Sequence, residues 1–185
     1  MSPNFWIFAD GSCGQGKNDL GAWTAIVITQ KERKVLFGAM HPATVSRCEL
    51  VPIIEGFRWL RGAVPFHGVG MHVDVYSDSE YTVKTLSGAL PQQKNLDLWA
   101  AIPIVTEGFV IRWFWRERNS HYYMGLCDAI CSHLRRATIS TVQELLAPDT
   151  PFHDIGACMP QQEPPTAATD TLIQGLDPNA NTAHG

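Results

Sequence analysis

Residues 5–12 read Phe5-Trp6-Ile7-Phe8-Ala9-Asp10-Gly11-Ser12. Five apolar residues in a row, led by the β-formers Phe, Trp and Ile, predict a strand that is buried on both faces. The acid follows this run directly, and Gly11-Ser12 is expected to break the strand. Asp10 is therefore predicted to lie at the rim of a sheet, where an α/β fold places its ligands.

Three later acidic residues occur in contexts that can bring them to the same rim. Glu49 is expected at the opening of a helix, Asp78 at the end of a second strand, and Asp128 early in a helix that follows a third strand. Four converging carboxylates repel one another unless divalent cations lie among them. The constellation therefore predicts a metal site.

Each acid also has an explanation that needs no metal. Glu49 follows Ser46 at the spacing of a capping box, and Asp78 precedes a helix that it is placed to cap. Asp10 precedes a glycine, as turn residues often do, and a helix dipole favours Asp128 near an N-terminus. Because all four explanations would have to hold together, we favour the metal site.

The apolar pattern predicts the fold class as α/β. Short links join the first three strands, which favours an antiparallel meander, and the later alternation of helix and strand favours parallel pairing. We expect a five-stranded mixed sheet, three antiparallel strands and then two parallel ones, flanked by helices. Pro52 places the start of the first helix near Cys48, and Pro103 limits a later helix. The predicted bounds are strands near 5–10, 22–28, 34–39, 71–77 and 109–115, and helices near 48–61, 79–86, from 95 and at 122–136.

Charge and proline divide the chain into two parts. All 14 basic residues and 13 of the 18 acidic ones lie within 1–146, so that part carries +1 and the remainder −5. Half of the 12 prolines lie in 147–185. We predict a catalytic domain at 1–146 and an acidic, proline-rich flexible tail at 147–185, which is a possible docking segment for a protein partner.

The sequence predicts a cytoplasmic protein with no membrane partner. Its five cysteines are odd in number and lack a CxxC pair, which favours reduced thiols, and neither a signal segment nor an apolar run of membrane-spanning length is visible. The oligomeric state is not predicted by any pattern in the sequence.

The acidic motifs resemble those of a known family. Asp10-Gly11-Ser12, Ser46-Arg47-Cys48-Glu49-Leu50, Ser77-Asp78-Ser79 and Cys127-Asp128 are similar, in order and spacing, to the four acidic motifs of type 1 ribonuclease H. The segment Lys94–Trp99 resembles the helix before that family's last strand, and Ile111–Trp115 resembles the strand itself. The resemblance covers about residues 5–136.

The resemblance implies a metal-dependent endonuclease that hydrolyses the RNA strand of RNA–DNA hybrids by a two-metal mechanism. It implies two Mg²⁺ ions, with Mn²⁺ possible, between four carboxylates. Asp10 would bridge both ions, Glu49 and Asp78 would complete one site, and Asp128 the other.

The motifs depart from the family's pattern at several positions. The family usually has a loop histidine where this chain has Asn119, so His121, two residues later, becomes the candidate for that catalytic role. Met124 stands where the family commonly has Asn, and Glu80 where Gln often contacts the hybrid. No basic helix and loop is inserted before Lys94. The candidate substrate-binding residues are Ser12, Ser46, Glu80, Arg116, Arg118 and Asn119.

Two alternatives remain open from the sequence. One is a nucleic-acid-binding or scaffolding module that keeps the fold with weakened catalysis. The other is a nuclease of this fold that acts on DNA or structured RNA, because selection for a hybrid depends on contacts to 2′-OH groups that the motifs do not identify. His121 and the two arginines also have a bland interpretation, as solvent-exposed loop residues.

Overall fold

The structure, a computed structural model, describes residues 5–14, 20–64, 70–118 and 120–136. Within these ranges the strands are β1 (Phe5–Cys13), β2 (Gly21–Ile28), β3 (Arg33–Met40), β4 (Met71–Ser77) and β5 (Phe109–Trp115). The helices are α1 (Val45–Ala63), α2 (Glu80–Leu86), α3 (Leu96–Thr106) and α4 (Tyr122–Arg136).

The five strands form one sheet in the order β3-β2-β1-β4-β5. β1 pairs antiparallel with β2, and β2 antiparallel with β3. β4 runs parallel to both of its neighbours, β1 and β5. The predicted fold class, a mixed sheet of three antiparallel strands followed by two parallel ones, is confirmed.

The central strand β1 is buried on both faces because helices cover both sides of the sheet. Ile7 and Ala9 belong to the core that contains the apolar face of α1 together with residues of α3. Phe8, whose side chain points to the opposite face, packs in a second core with Tyr123 and Met124 of α4. This two-sided burial explains why the first strand reads as a continuous apolar run.

Register places two of the acids side by side. Ala9 of β1 is paired with Ser77 of β4 in the parallel ladder. Asp10 follows Ala9 in β1, and Asp78 directly follows Ser77, the last residue of β4, so both emerge at the same edge of the sheet. This is the rim predicted from the sequence.

The prediction that Gly11-Ser12 ends the first strand is wrong. β1 continues to Cys13, and Gly11 and Ser12 stay in the antiparallel ladder opposite Trp23 and Ala22. Pairing with β2 over its full length outweighs the low strand preference of the glycine. Asp10 therefore lies within a strand and not in a turn.

The predictions made from proline for the start of α1 and the end of α3 are wrong. α1 begins at Val45 and is capped by Thr44, so Pro52 is the eighth residue of the helix and is buried. α3 continues three residues beyond Pro103. A proline in a helix interior removes one backbone hydrogen bond, and in α1 the buried apolar face packed on the sheet outweighs that loss.

Two further predictions concern the C-terminal tail and the absence of a membrane-spanning segment. The proposed tail at 147–185 and the domain end at 146 lie outside the described residues. Among the helices that the structure describes, none combines the length and apolar character needed to cross a bilayer.

Candidate active site

Three carboxylates converge at the rim of the sheet. Asp10 of β1, Glu49 of α1 and Asp78 after β4 each present an oxygen, and these oxygens lie within 4.8 Å of one another. Asp10 and Glu49 are 1% and 6% exposed, and the side chain of Asp78 is 8% exposed. The structure therefore brings together three of the four predicted acids in a buried cluster.

One oxygen of each carboxylate is buried without a partner. Asp10 Oδ2, Glu49 Oε2 and Asp78 Oδ1 have no hydrogen-bond partner among the described residues. The other Asp10 oxygen accepts a hydrogen bond from the Gly11 backbone N–H at 2.8 Å. A buried oxygen without a hydrogen-bond partner lowers the stability of the fold. A divalent cation that prefers oxygen ligands would provide the missing partner for all three oxygens.

Gly11 allows α1 to approach β1 closely enough to bring Glu49 into the cluster. A Cβ atom at Gly11 would overlap the carbonyl group of Cys48 and would lie 2.6 Å from the Glu49 backbone nitrogen. Because glycine has no Cβ, the strand and the helix backbones are in direct contact here. The glycine next to Asp10 is therefore required by packing and not by a turn.

Burial and mutual repulsion raise the pKa values of the clustered acids. Burial, followed by the charge of Asp78, raises the pKa of Asp10 from 3.8 to about 8. The pKa of Glu49 is also raised well above its usual value, first by burial and then by the charges of Asp78 and Asp10. These shifts mean that the cluster resists full ionisation without a cation.

Asp78 is held by its neighbours in β5 and α2. The Trp115 indole N–H donates to the Asp78 backbone carbonyl at 3.0 Å. Ser79 is the N-cap of α2, and its hydroxyl accepts from the Thr82 backbone N–H. The structure thus assigns the cap to Ser79 and leaves the Asp78 carboxylate directed at the cluster, so the capping alternative for Asp78 is wrong.

The other metal-free explanations also fail. Thr44, and not Ser46, is the N-cap of α1, so Glu49 is five residues beyond the cap and forms no capping box. Asp128 is the seventh residue of α4. The dipole effect falls off within the first helical turn, and therefore does not explain Asp128.

Asp128 joins the cluster through an arginine. Arg118, in the loop after β5, donates from Nε to Asp78 Oδ2 at 2.8 Å, and its Nη1 lies 3.5 Å from Asp128 Oδ1. The charge of Asp128 contributes to the raised pKa of Asp10. The fourth acid is thus near the other three but is connected to them by a guanidinium group.

Two thiols dock α4 on the central strand beside Asp128. Cys127 Sγ lies 3.6 Å from the Phe8 carbonyl oxygen, and Cys131 Sγ lies 3.6 Å from the Asp10 carbonyl oxygen. Both thiols are free, as predicted. They position the helix turn that carries Asp128 along the last residues of β1.

Comparison with known proteins assigns this arrangement to a family. The model of the RNase H family matches residues 2–113. The chain belongs to the RNase H family. A curated relative, the ribonuclease H of Cupriavidus pinatubonensis (strain JMP 134 / LMG 1197), is 30% identical over 140 residues, covering 68% of this chain and 91% of that protein.

Solved RNase H structures share the fold. LC9-RNase H1, described as a type 1 RNase H with the type 2 active-site motif, has a TM-score of 0.63 at 19% identity and covers 100% of this chain and 99% of its own. LC11-RNase H1 in complex with an RNA/DNA hybrid has a TM-score of 0.57 at 17% identity, covering 77% of this chain and 99% of its own. The family resemblance and the enzyme class predicted from the motifs, a ribonuclease H, are confirmed.

The His121 ring packs on Phe8, which is two residues before Asp10 in β1. Its ring stacks on Phe8 with the ring centroids 5.0 Å apart, and its Nδ1 accepts from the Tyr123 backbone N–H. Phe8 precedes Asp10 by two residues on the same strand, a separation of about 7 Å. Burial, followed by the charge of Arg116, lowers the pKa of His121. The interpretation of His121 as a solvated loop residue is wrong, because the ring is half-buried.

The structure describes five of the six predicted substrate-binding residues, and their contacts differ. Ser12 is opposite Ala22 in the β1–β2 ladder. Glu80 forms an ion pair with Lys84 at 2.7 Å, which offsets its charge toward nucleic acid. The Arg116 backbone N–H donates to the Ser77 carbonyl at 2.9 Å. Asn119 lies outside the described residues.

Ser46 lines a cleft between α1, α2 and the start of α3. The cleft has a volume of about 240 Å³, and its lining includes Ser46, Tyr81, Thr82, Lys94, Asn95 and Trp99. Ser46 is three residues before Glu49 on the same helix. Lys94 and Asn95 were not predicted as substrate contacts, although they begin the segment that resembles the family's helix. Their place in the cleft depends on how α2 and α3 pack, which has no local sequence signal.

The contact of Arg118 with the acids was also missed. The sequence predicted Arg118 as a substrate-binding residue and not as a partner of the acids. An ion pair between residues 40 positions apart has no local sequence signal. Met124 stands where the family commonly has asparagine. Its side chain is fully buried in the apolar core, so the residue has a packing role.

Proposed function

We propose that this RNase H-family protein is a metal-dependent endonuclease that hydrolyses the RNA strand of RNA–DNA hybrids. The observation that carries the proposal is the cluster of Asp10, Glu49 and Asp78, which buries three unpartnered carboxylate oxygens at one rim. A scaffold would gain nothing from holding repelling charges together, whereas hard oxygen ligands suit Mg²⁺.

The acids divide into two proposed metal positions. Asp10, Glu49 and Asp78 would hold one ion, and Asp10 with Asp128 would hold the second. Two Mg²⁺ ions (or Mn²⁺) bound there would supply an activated water and stabilise the leaving oxygen. The fit of the first position is supported by the convergence of its oxygens within 4.8 Å.

The remaining residues are proposed to orient the substrate. Arg118 contacts Asp78 and Asp128. Ser12 and Glu80 each follow one of the acids by two residues, and Arg116 and Asn119 flank Arg118 in the sequence. Ser46, with Lys94 in the adjacent cleft, presents polar groups of the kind that contact sugar and phosphate. Because few basic residues are available to neutralise phosphates, hybrid affinity should be modest.

His121 is proposed to act in proton transfer or product release. Its lowered pKa keeps the ring neutral near pH 7, and the hydrogen bond from Tyr123 N–H to Nδ1 fixes the proton on Nε2. The ring would therefore present an N–H donor to a phosphate or leaving oxygen.

Hybrid as the substrate is supported by the family. The curated relatives are named Ribonuclease H, and LC11-RNase H1 was solved with an RNA/DNA hybrid. The test is cleavage of labelled hybrid, double-stranded RNA, double-stranded DNA and single strands, each with Mg²⁺, Mn²⁺ or chelator, using Asp10→Asn as the inactive control.

Each outcome of that panel has a distinct meaning. Metal-dependent cutting of the RNA strand in the hybrid alone is expected. Cutting of DNA or double-stranded RNA with equal efficiency would support the alternative nuclease. Binding of hybrid without cutting under any metal condition would support the scaffolding module.

We also propose that residues 1–146 suffice for this activity and that 147–185 serves a protein partner. The acidic charge and the prolines of the tail support that division. A chain truncated after residue 146 should retain its melting temperature and its cleavage rate. A drop of more than a few degrees, or loss of cleavage, would assign the tail to the catalytic domain.

A further inference from the structure

Arg118 lies against the edge of the acidic cluster, with its side chain 50% exposed. Its Nε hydrogen bond to Asp78 Oδ2 is 2.8 Å long, and its Nη1 is 3.5 Å from Asp128 Oδ1. The side chain of Asp78 is 8% exposed and that of Asp128 29% exposed. One guanidinium therefore links the acid at the end of β4 to the acid on α4.

The contacts of Arg118 divide the cluster into two halves. On one side, Asp10 Oδ2, Glu49 Oε2 and Asp78 Oδ1 have no partner among the residues that are described. On the other side, Asp78 Oδ2 and Asp128 Oδ1 face the guanidinium. The first half is open to a cation, whereas the second already has a positive charge.

The charge of Arg118 acts on the whole cluster. It lowers the pKa of both Asp10 and Glu49, in opposition to the larger effects of burial and neighbouring carboxylates. The acids in turn raise the pKa of Arg118, through Asp78 first. The guanidinium thus reduces the repulsion that the assembled carboxylates would otherwise feel.

We propose that Arg118 is an internal counter-ion that stands in for the second divalent cation in the metal-free protein. This inference rests on the proposed function. The first cation binds Asp10, Glu49 and Asp78 with Arg118 in place. The second cation must displace the guanidinium from Asp128, so Arg118 sets the affinity of the second position and acts as a positioning residue.

The size of the effect follows from the exposure of the groups. A partly exposed ion pair changes an equilibrium by about 1.5- to 5-fold. The short Nε contact to the nearly buried Asp78 carboxylate is charge-assisted and stronger. Together they lead us to expect that removal of the guanidinium tightens the second cation about 3- to 10-fold.

The test is a titration of the full chain with Mn²⁺, in which the free-ion electron paramagnetic resonance signal counts bound ions. Wild type, Arg118→Gln and Arg118→Lys are compared with Arg58→Gln. Arg58 is paired with Glu55 on the same helix, so the control removes one charge in a salt bridge away from the rim.

The expected result is a second Mn²⁺ that binds tighter in Arg118→Gln, with a smaller change at the first site and no change in Arg58→Gln. Arg118→Lys keeps the positive charge but lacks the planar guanidinium group. Its affinity for the second Mn²⁺ should lie between those of wild type and Arg118→Gln. In chelator, Arg118→Gln should melt below wild type, and saturating Mg²⁺ should remove the difference. A merely structural arginine would leave a gap that metal does not close.

Two results would overturn the inference in distinguishable ways. If wild type binds two ions but the second binds no tighter in either Arg118 variant, the counter-ion role is wrong and the proposed function stands. If wild type binds no divalent cation, both the proposed function and this inference fail. Should Arg118→Gln fail to fold, the Arg118→Lys titration decides alone.

Discussion

Replacing Asp10 by asparagine should stabilise the metal-free protein. The substitution keeps the size of the side chain but removes a carboxyl that is 1% exposed and surrounded by Asp78, Glu49 and Asp128. Because burial, Asp78 and Asp128 raise the pKa of Asp10 to about 8, this carboxyl opposes folding wherever the unfolded chain is ionised.

The sign and size follow from proton linkage. In the unfolded chain the Asp10 carboxyl has its ordinary pKa of 3.8, whereas in the folded protein it has a pKa of about 8. Near pH 7 folding must therefore take up almost one proton. At about 1.4 kcal/mol for each of the roughly three pH units involved, the cost is about 4 kcal/mol.

The cost depends on pH in a direction opposite to that of most acids. It is absent well below about pH 4, where both states are protonated, and grows to about 6 kcal/mol above pH 8, where both are ionised. Since the asparagine does not titrate, the variant's advantage should widen as pH rises through that window. For a domain of this size, about 4 kcal/mol corresponds to roughly 8–16 °C in melting temperature.

The assay is thermal and urea unfolding in chelator at about pH 5 and about pH 8. Asp97→Asn is the matched control, because the pKa of that exposed carboxyl is lowered by hydrogen bonds from Arg47. Its substitution should slightly destabilise the protein at neutral pH. Adding Mg²⁺ should raise the melting temperature of wild type more than that of Asp10→Asn.

The reasoning would be refuted if Asp10→Asn were no more stable than wild type in chelator near pH 8. It would also be refuted by a stability difference that stays constant between the two pH values, since only a titrating group makes the difference pH-dependent. Undiminished hybrid cleavage by the variant would refute the proposed metal role of Asp10.

Three further substitutions test other parts of the structure. Gly11→Ala should destabilise the fold by about 2 kcal/mol or more and weaken Mg²⁺ binding, because the new Cβ atom would overlap the α1 backbone. The control is Gly62→Ala, whose Cβ atom would enter open space on α1 and should stabilise the fold by about 0.5–1 kcal/mol. Arg112→Met should cost about 3–5 kcal/mol in urea unfolding, because it removes the charged partner that binds the buried Asp74 carboxylate through two 2.7 Å contacts. Asp74→Leu in the same chain should recover most of that loss. His121→Phe should preserve the stack on Phe8 and the melting temperature but lower hybrid cleavage by up to about 10²-fold; an unchanged rate would restrict His121 to packing.

Much of the fold was predictable because its signals are local. β4, β5 and α4 have the bounds expected from apolar periodicity. The two-sided burial of β1 was visible as a continuous apolar run. The acids were identified from their positions after strands and within helices, and the parallel register of β1 with β4 places Asp10 beside Asp78 as that argument requires.

What the sequence could not predict depends on non-local contacts. Gly11 stays in β1 because β2 pairs with it, and Pro52 stays within α1 because the helix is packed on the sheet. In both places tertiary packing overrides a local preference. The guanidinium of Arg118 reaches Asp78 across a loop, and no spacing rule connects those two positions.

The acids can be assembled because β1 is held on both faces and at both edges. The cores beneath α1 and α4 fix its side chains, and β2 and β4 fix its backbone. Asp10 is thereby kept in a buried position that its charge disfavours, and Gly11 keeps Glu49 beside it. The same burial that raises the pKa of Asp10 obliges a cation to displace a proton when it binds near neutral pH. Metal affinity at this rim should therefore rise with pH until about pH 8, as the metal-free fold loses stability over the same range.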